Sequence, residues 1–334
     1  MANTATPSPS TQDGKDIRRL VLVTGASGFV GSFLCNQLTE KGFNVRRAGR
    51  SVIPINDGAT FHTADLASES EWKLALQNVS VVIHLAARTH VLNEHADDPL
   101  TAYRSVNVAG TVALARQAAA SGVRRLIFLS SIKVNGDSTS GAPFSEGSPP
   151  APEDAYGVSK REAEEALQKI SAETGLESVI LRPPLVYGPG VKGNFLRLVD
   201  AVSRGWPLPL ASVNNSRSLV YVGNLADAIL ACMDAPTAAG KTYLVSDNED
   251  ISTPALITNI ARALGKRPRL MSFPPALLML AASMLGKSAA ASRLLGSLRT
   301  DSSRIRQELG WQPPTSQEEG LRLTAQWYYR RQNP

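Results

Sequence analysis

The sequence has little cysteine, and the two that occur are far apart. Cys35 and Cys232 lie in no CxxC pair and beside no histidine cluster, in a chain of 334 residues. This spacing argues against a disulfide framework and against a zinc site, and no metal centre is predicted. We therefore expect a protein of a reducing compartment, located in the cytoplasm.

The sequence also lacks a hydrophobic run long enough to cross a membrane. Residues 270–286 carry no charge, but a spanning helix needs about 20 apolar residues, and Pro274 and Pro275 stand near the start of this stretch. The stretch is predicted to be a buried helix that begins at the prolines, with a contact to a membrane surface as the alternative. Residues 1–17 are polar, lack the apolar core of a signal peptide and are predicted to be a disordered tail.

Runs of like charge are missing as well. The chain has 35 Lys and Arg against 29 Asp and Glu, a net charge of +6, yet no five or six basic residues follow one another. Nucleic-acid binding is therefore not expected, and the surplus favours anionic small ligands.

Short apolar runs alternate with helical periods from residue 18 onward, which is the pattern of successive βα units. Helices fit between the runs, for example at residues 29–41 and 109–121. The predicted fold class is α/β, a Rossmann-type doubly wound parallel sheet. Its strands are predicted at residues 19–25, 44–49, 79–87, 124–131 and 177–183.

The composition changes after Arg182, where Pro, Gly and Asn reach the density of loops. Strand and helix patterns return briefly, and the end of the chain is helical with prolines between the helices. We predict a Rossmann domain of residues 18–182 plus 218–251, and a smaller, mainly helical C-terminal lobe of residues 183–217 plus 252–334 that binds substrate.

A glycine-rich turn links the first predicted strand to the first helix. Gly25, Gly28 and Gly31 in "LVTGASGFVGSFL" have GxxGxxG spacing, which allows a tight turn and brings a dinucleotide pyrophosphate close to the helix N-terminus. Phe29 and Val30 open that helix. These five residues are predicted to bind NAD or NADP. The other predicted contacts are Asp65 and Leu66 near the adenine, Ala86 and Ala87 at a strand end, and Tyr156 and Lys160.

The end of the second strand carries no acidic residue. An NAD site usually has Asp or Glu about 20 residues after the glycine turn, where this chain has Gly49 among Arg46, Arg47 and Arg50. A guanidinium can bind a 2′-phosphate bidentately, so NADP(H) is favoured and NAD(H) is the alternative. Arg50 is the predicted contact because it follows the strand.

A serine, a tyrosine and a lysine have the spacing of a proton-transfer site. Ser131 follows the fourth predicted strand, and Tyr156 precedes Lys160 by four residues at the start of a helix. The end of that strand and the start of that helix both lie at the carboxyl edge of the sheet, beside the glycine turn. An ammonium one helical turn away is expected to lower the pKa of the tyrosine, so that it exchanges a proton with a substrate hydroxyl or carbonyl.

Residues 18–330 resemble the extended short-chain dehydrogenase/reductases, in particular the nucleotide-sugar epimerases and reductases. The resemblance rests on "TGASGFVG", "VIHLAA", "LSSIKVNG", "YGVSK", "LRPPLVYGPG", "RSLVYVGNLADAI" and "RIRQELGWQPP". It implies that Ser131, Tyr156 and Lys160 are the catalytic triad, that Arg217 binds the nucleotide diphosphate and that Asn107 supports the site. It also implies a homodimer through two helices, for which 109–121 and 154–173 are candidates. The predicted substrate contacts are Ser131, Lys133, Tyr156, Asn194 and Arg217.

Departures from the family pattern reduce the number of reactions that the resemblance allows. Sugar-nucleotide dehydratases read Thr-Asp-Glu where this chain has Ser131-Ile132-Lys133, and Leu185 replaces an asparagine that is usual in epimerases. The favoured reaction is C4 reduction of a UDP-4-keto-6-deoxy-hexosamine for bacterial surface polysaccharide. The alternative is a UDP-hexose 4-epimerase with bound NAD. Weaker alternatives are a dehydrogenase of a hydrophobic alcohol and an NADP-sensing module.

Overall fold

The structure, a computed structural model, describes residues 20–49, 60–63, 72–89, 98–286 and 288–332, and a parallel sheet runs through its centre. Seven described strands pair in the order β3-β2-β1-β4-β5-β6-β9, and β7 pairs with β8 in a separate ribbon. The strands are β1 (Leu20–Thr24), β2 (Asn44–Gly49), β3 (Thr60–Thr63), β4 (Val79–His84), β5 (Arg125–Leu129), β6 (Glu177–Arg182), β7 (Leu185–Tyr187), β8 (Leu219–Tyr221) and β9 (Thr242–Leu244).

Helices cover both faces of the sheet, as the fold prediction requires. The helices are α1 (Phe29–Glu40), α2 (Lys73–Leu76), α3 (Pro99–Tyr103), α4 (Gly110–Ala120), α5 (Ala155–Thr174), α6 (Gly193–Ser203), α7 (Val222–Asp234), α8 (Thr253–Ala263), α9 (Pro275–Met284), α10 (Ser288–Leu295), α11 (Ser303–Leu309) and α12 (Gln317–Gln332). A π-helical turn, Arg104–Ala109, joins α3 to α4. The helix predicted from residue 109 therefore begins ten residues earlier, at Pro99.

Alternate residues of β1 point into different cores. Val21 and Val23 belong to the core beneath α1 and α7, whereas Leu22 belongs to the core beneath α4 and α5. Because side chains alternate along a strand, a sheet covered on both faces has apolar residues at every position, which explains the unbroken apolar runs of the sequence. The strand order reverses between β1 and β4, and this is where ligands bind in such sheets.

A third core lies in the C-terminal lobe. Apolar residues of α6, α8 and α12, among them Phe195, Ile257 and Leu321, pack together with the β7 and β8 ribbon. The domain bounds stay a prediction, and the cores do not follow them throughout, since Leu219 and Ile251 of the predicted Rossmann domain lie in this third core. Ile305 of α11 and the following Trp311 belong instead to the core of the sheet, where the Trp311 indole N–H donates to Asp227 at 3.0 Å.

The prediction of a buried helix at residues 270–286 is wrong about burial. Helix α9 begins at Pro275, as the prolines suggested, but each of its ten residues is at least partly exposed. Leu280 is 57% exposed and Met284 81% exposed. Within the described segments, no helix has the length and apolarity needed to span a bilayer.

Candidate active site

The glycine-rich turn between β1 and α1 depends on the absence of side chains. Gly25 has a φ of +68°, and a Cβ there would lie 2.7 Å from the backbone nitrogen of Ala86. A Cβ on Gly31 would lie 2.1 Å from the carbonyl oxygen of Gly25. Larger residues at either position would force the backbone of the turn apart.

The first turn of α1 suits an anionic ligand. Gly28 is the N-cap, and no side chain in the described part of the chain caps this helix, whereas Asp154 caps α5 and Ser252 caps α8. Helix α1 also has no acidic residue in its first turn. Uncapped N–H groups at the positive end of a helix bind a diphosphate well, so the predicted contacts at Phe29 and Val30 fit a dinucleotide.

The end of β2 gives less support to a 2′-phosphate site than the sequence suggested. Gly49 is the last residue of the strand. The Arg46 guanidinium donates at 2.8 Å to the backbone carbonyl oxygens of Ala75 and Gln77 at the end of α2, so it stabilises a helix C-terminus. The predicted contacts Arg50, Asp65 and Leu66 lie outside the described residues.

The half-buried residues Ala86 and Ala87 follow β4, and the chain beyond them is held by Asn107. The Asn107 side chain accepts from the backbone N–H of Arg88 at 2.8 Å and donates to its carbonyl oxygen at 3.0 Å. It also donates to the Ser159 hydroxyl of α5 at 2.9 Å. Asn107 therefore ties the segment after β4 to the helix that carries Tyr156.

His84 is a structural residue of the same sheet edge. Its ring nitrogens lie 2.7 Å from the Thr24 hydroxyl and 3.0 Å from the Thr111 hydroxyl. Burial, and then the charge of Lys160, lower the pKa of His84 to about 3, so the ring is neutral at pH 7. Among the residues that the structure describes, no group of three or more His, Cys, Asp or Glu could hold a metal ion.

The fold brings Ser131, Tyr156 and Lys160 together at the carboxyl edge of the sheet. Ser131 follows β5, and its hydroxyl forms a hydrogen bond with the Tyr156 side chain. The Lys160 ammonium donates to the Leu129 carbonyl oxygen at 2.8 Å and lies 6.0 Å from the centre of the Tyr156 ring. The carboxylate of Asp154, which accepts from the Gly157 N–H at 2.8 Å, starts the helix that positions the tyrosine and the lysine.

The electrostatics of the pair differ from the expectation that Lys160 lowers the pKa of Tyr156. Burial, followed by the charge of Asp154, raises the pKa of Tyr156 above its ordinary value, against the opposite effect of the Ser131 hydrogen bond. Burial lowers the pKa of Lys160 to about 7. The ammonium donates to a backbone carbonyl rather than to the phenol, so in this arrangement Tyr156 holds its proton.

A buried ion pair of Glu164 and Arg182 lies next to Lys160 on the inner side of α5. Glu164, one turn after Lys160, accepts from the Arg182 guanidinium at 3.0 and 2.5 Å and from the Ser130 hydroxyl. Arg182 also donates to the Asn135 side chain at 3.1 Å. Sequence reasoning missed this pair: the spacing of Lys160 and Glu164 places the carboxylate on the helix face of the lysine but gives no sign of Arg182 as its partner.

The predicted substrate contact Lys133 lies in a charged cluster. Its ammonium lies 2.9 Å from the Asp137 carboxylate and 2.5 Å from that of Asp154. The guanidinium of Arg293, on α10, lies 3.2 Å from Asp137 and 3.5 Å from Asp154. The cluster connects the N-cap of α5 to the C-terminal lobe, and the sequence contained no signal for Asp137 or Arg293.

Arg217 contacts the backbone of this cluster at Arg293. The Arg217 guanidinium donates to the carbonyl oxygens of Arg293 and Gly296 at 2.6 and 2.8 Å, and burial lowers its pKa. Asn194 is exposed in the first turn of α6. Substrate contact by Lys133, Asn194 and Arg217 stays a prediction.

The chain matches a known family and several known proteins. Residues 21–246 match the sequence model of the NAD dependent epimerase/dehydratase family. The chain is 45% identical to a UDP-glucose 4-epimerase of Vibrio cholerae over 316 residues, which cover 94% of this chain and 96% of that relative.

Solved structures share the fold. A UDP-glucose 4-epimerase from Thermotoga maritima, in complex with UDP-glucose, is 23% identical and superposes with a TM-score of 0.77 over 94% of this chain and 99% of that chain. MoeE5, in complex with UDP-glucuronic acid and NAD, is 26% identical, with a TM-score of 0.77 over 93% of this chain and 99% of that chain.

Proposed function

The chain belongs to the NAD-dependent epimerase/dehydratase family, and from this premise we propose that it is a UDP-hexose 4-epimerase that interconverts UDP-glucose and UDP-galactose. The observation that carries the proposal is the 45% identity, over 94% of this chain, to the UDP-glucose 4-epimerase of Vibrio cholerae. The Ser131, Tyr156 and Lys160 site supplies the groups that such a reaction needs.

In the proposed reaction Tyr156 exchanges the proton of the sugar C4 oxygen. Ser131 holds the tyrosine hydroxyl and contacts the same oxygen, and Lys160 is positioned by Leu129 to bind the nicotinamide ribose. A nicotinamide dinucleotide held by the glycine turn, the first turn of α1 and Lys160 would supply reversible hydride transfer at C4 and, in its oxidised form, a positive charge beside Tyr156. That charge would oppose the burial that raises the pKa of Tyr156, as the Ser131 hydrogen bond does.

We further propose NAD rather than NADP as the cofactor, which reverses the preference drawn from the arginines around Gly49. The matched family is NAD dependent, and MoeE5 was solved with NAD. Arg46 supports a helix end, so one of the arginines that favoured NADP has another role.

C4 reduction of a UDP-4-keto-6-deoxy-hexosamine is the second candidate. Two observations favour it: Gly49 ends β2 where an NAD site usually has an acid, and Tyr156 holds its proton, the state that donates to a C4 alkoxide. A reductase needs only this donation, whereas an epimerase needs both directions of proton transfer.

Two assays separate the candidates. The purified protein, with no cofactor added, is incubated with UDP-galactose, and nucleotide released by denaturation is identified by chromatography. Formation of UDP-glucose together with released NAD supports the epimerase. Consumption of NADPH with a UDP-4-keto-6-deoxy-hexosamine, without any turnover of UDP-galactose, would replace it with the reductase.

A further inference from the structure

Helix α9 is apolar all round, and the side opposite Leu278 is exposed. Leu277, Leu280 and Met284 are each about half exposed or more, and Met271 and Phe273 extend the same surface ahead of the helix. A helix that is apolar all round is normally buried, but this surface, which we call the α9 face, is left uncovered by the residues that the structure describes.

The α9 face is held firmly by the rest of the lobe. Leu278 packs against the core of the C-terminal lobe. The backbone N–H of Met271 donates to the Leu208 carbonyl oxygen at 2.9 Å, and the N–H of Ala211 donates to the Met271 carbonyl oxygen at 3.1 Å. Trp206, two residues before this pairing, is 55% exposed. The surface is therefore presented by a fixed scaffold, with an exposed indole of the kind found at membrane interfaces.

The chain segment that contains α9 carries charge of one sign, although two of its arginines are paired, Arg293 with Asp137 and Asp154, and Arg299 with Asp250. Residues 251–300 contain no Asp or Glu, and their basic residues are Arg262, Lys266, Arg267, Arg269, Lys287, Arg293 and Arg299. These seven exceed the net charge of +6 of the whole chain, so the remainder of the protein is close to neutral. The side chains of Lys266, Arg267 and Arg269 are exposed directly ahead of α9.

We propose that the α9 face docks on the surface of an anionic lipid bilayer. An apolar surface that enters the boundary of the acyl chains, with basic residues beside it, is the combination that binds peripheral proteins to negatively charged membranes. A second copy of the chain is the less suitable occupant, because it would bring the same basic segment against itself. This docking is independent of the reaction proposed above.

Vesicle sedimentation with the full chain tests the proposal. The protein is expected to sediment with vesicles of phosphatidylcholine mixed with phosphatidylglycerol, and much less with vesicles of phosphatidylcholine alone. Raising the salt concentration should weaken binding, because the basic residues contribute part of the attraction. Equal binding to both vesicles, or binding to neither, overturns the proposal.

Two variants locate the contact. Leu280→Ser combined with Met284→Ser should lower binding to the anionic vesicles by about tenfold or more, since two apolar side chains no longer enter the bilayer. Leu74→Ser is the matched control, because Leu74 is 65% exposed on α2, away from the C-terminal lobe, and binding should be unchanged. Equal losses in both variants contradict a role for the α9 face.

Sedimentation velocity without lipid tests the second occupant. The wild-type protein and the Leu280→Ser, Met284→Ser variant should have the same oligomeric state. A smaller assembly for the variant, with vesicle binding unaffected, would assign the α9 face to a second copy instead of a membrane.

Discussion

Helices α5 and α9 place their side chains in opposite environments. Helix α5 buries the charged residues Lys160 and Glu164, whereas α9 exposes the apolar residues Leu280 and Met284. Charged residues are seldom fully buried without partners, and large apolar patches are seldom left uncovered. Each buried charge of α5 has a partner within the molecule, and α9 has none for its outer surface in the part of the chain that the structure describes. Substitutions of the buried residues of α5 should therefore affect activity or folding, and those of the exposed residues of α9 should affect neither.

The largest expected effect lies at the start of α5. Tyr156→Phe removes the hydroxyl that we propose exchanges the proton and should lower kcat by about 10²- to 10⁴-fold, since this is the usual contribution of a positioned acid or base. Turnover of UDP-galactose measures the loss, and circular dichroism checks that the fold is intact. Tyr329→Phe is the control, because the Tyr329 hydroxyl donates to the Leu264 carbonyl oxygen in the C-terminal lobe and takes no part in the proposed site. Activity retained by Tyr156→Phe would remove the tyrosine from the mechanism.

The next effect concerns the buried ion pair. Glu164→Gln leaves the Arg182 charge without its carboxylate and should lower the free energy of unfolding by about 3–5 kcal/mol. Glu165→Gln is a matched control on the same helix, because Glu165 forms an exposed pair with Arg161 and should cost less than about 1 kcal/mol. Urea unfolding measures both. Equal stability of the two variants would mean that the buried pair does not hold α5 in place.

A pH dependence should follow from Lys160. Burial lowers its pKa to about 7 from an ordinary value of 10.5, so between these values the folded protein binds fewer protons than the unfolded chain. The free energy of unfolding, relative to Lys160→Met, should therefore rise with pH in this window, by at most about 1.4 kcal/mol per pH unit. Urea unfolding of both proteins from pH 7 to pH 9 measures the difference. A difference that stays constant, or falls, contradicts the lowered pKa.

The smallest effect belongs to α9. Met284→Ala should change the free energy of unfolding by no more than about 0.5 kcal/mol, because its side chain is already in solvent. Ile257→Ala, in the buried face of the neighbouring α8, should cost about 2–5 kcal/mol. Thermal or urea unfolding compares the two. A large loss for Met284→Ala would show that α9 is covered within the protein itself.

The sheet and the triad were predictable because their signals are local. The strands at the centre of the sheet are apolar at nearly every position, and the glycine turn is required by contacts such as that of Gly31 with Gly25. The four-residue spacing of Tyr156 and Lys160 places both on one helix face. Their meeting with Ser131 follows from the carboxyl edge that parallel strands share.

The remainder depends on contacts between distant segments. Arg293 contacts Asp137 and Asp154, although more than a hundred residues of sequence separate it from each. No local sequence pattern predicts such a contact. The raised pKa of Tyr156 depends on how deeply the side chain is buried. The four-residue spacing from Lys160 gives no information about that burial. The burial of α9 was predicted wrongly because an apolar helix has the same composition whether it packs in the protein core or binds another surface.

The π-helical turn between α3 and α4 has a consequence for how this chain tolerates changes in length. Such a turn holds one residue more than a regular α-helix, and Asn107, which bonds to both Arg88 and Ser159, lies within it. Because the wide turn takes up the extra residue, deleting one residue between 104 and 109 would return the segment to a regular α-helix and change the direction in which Asn107 projects. No point substitution acts in this way: the support of the site by Asn107 depends on the number of residues in the helix as well as on their identity.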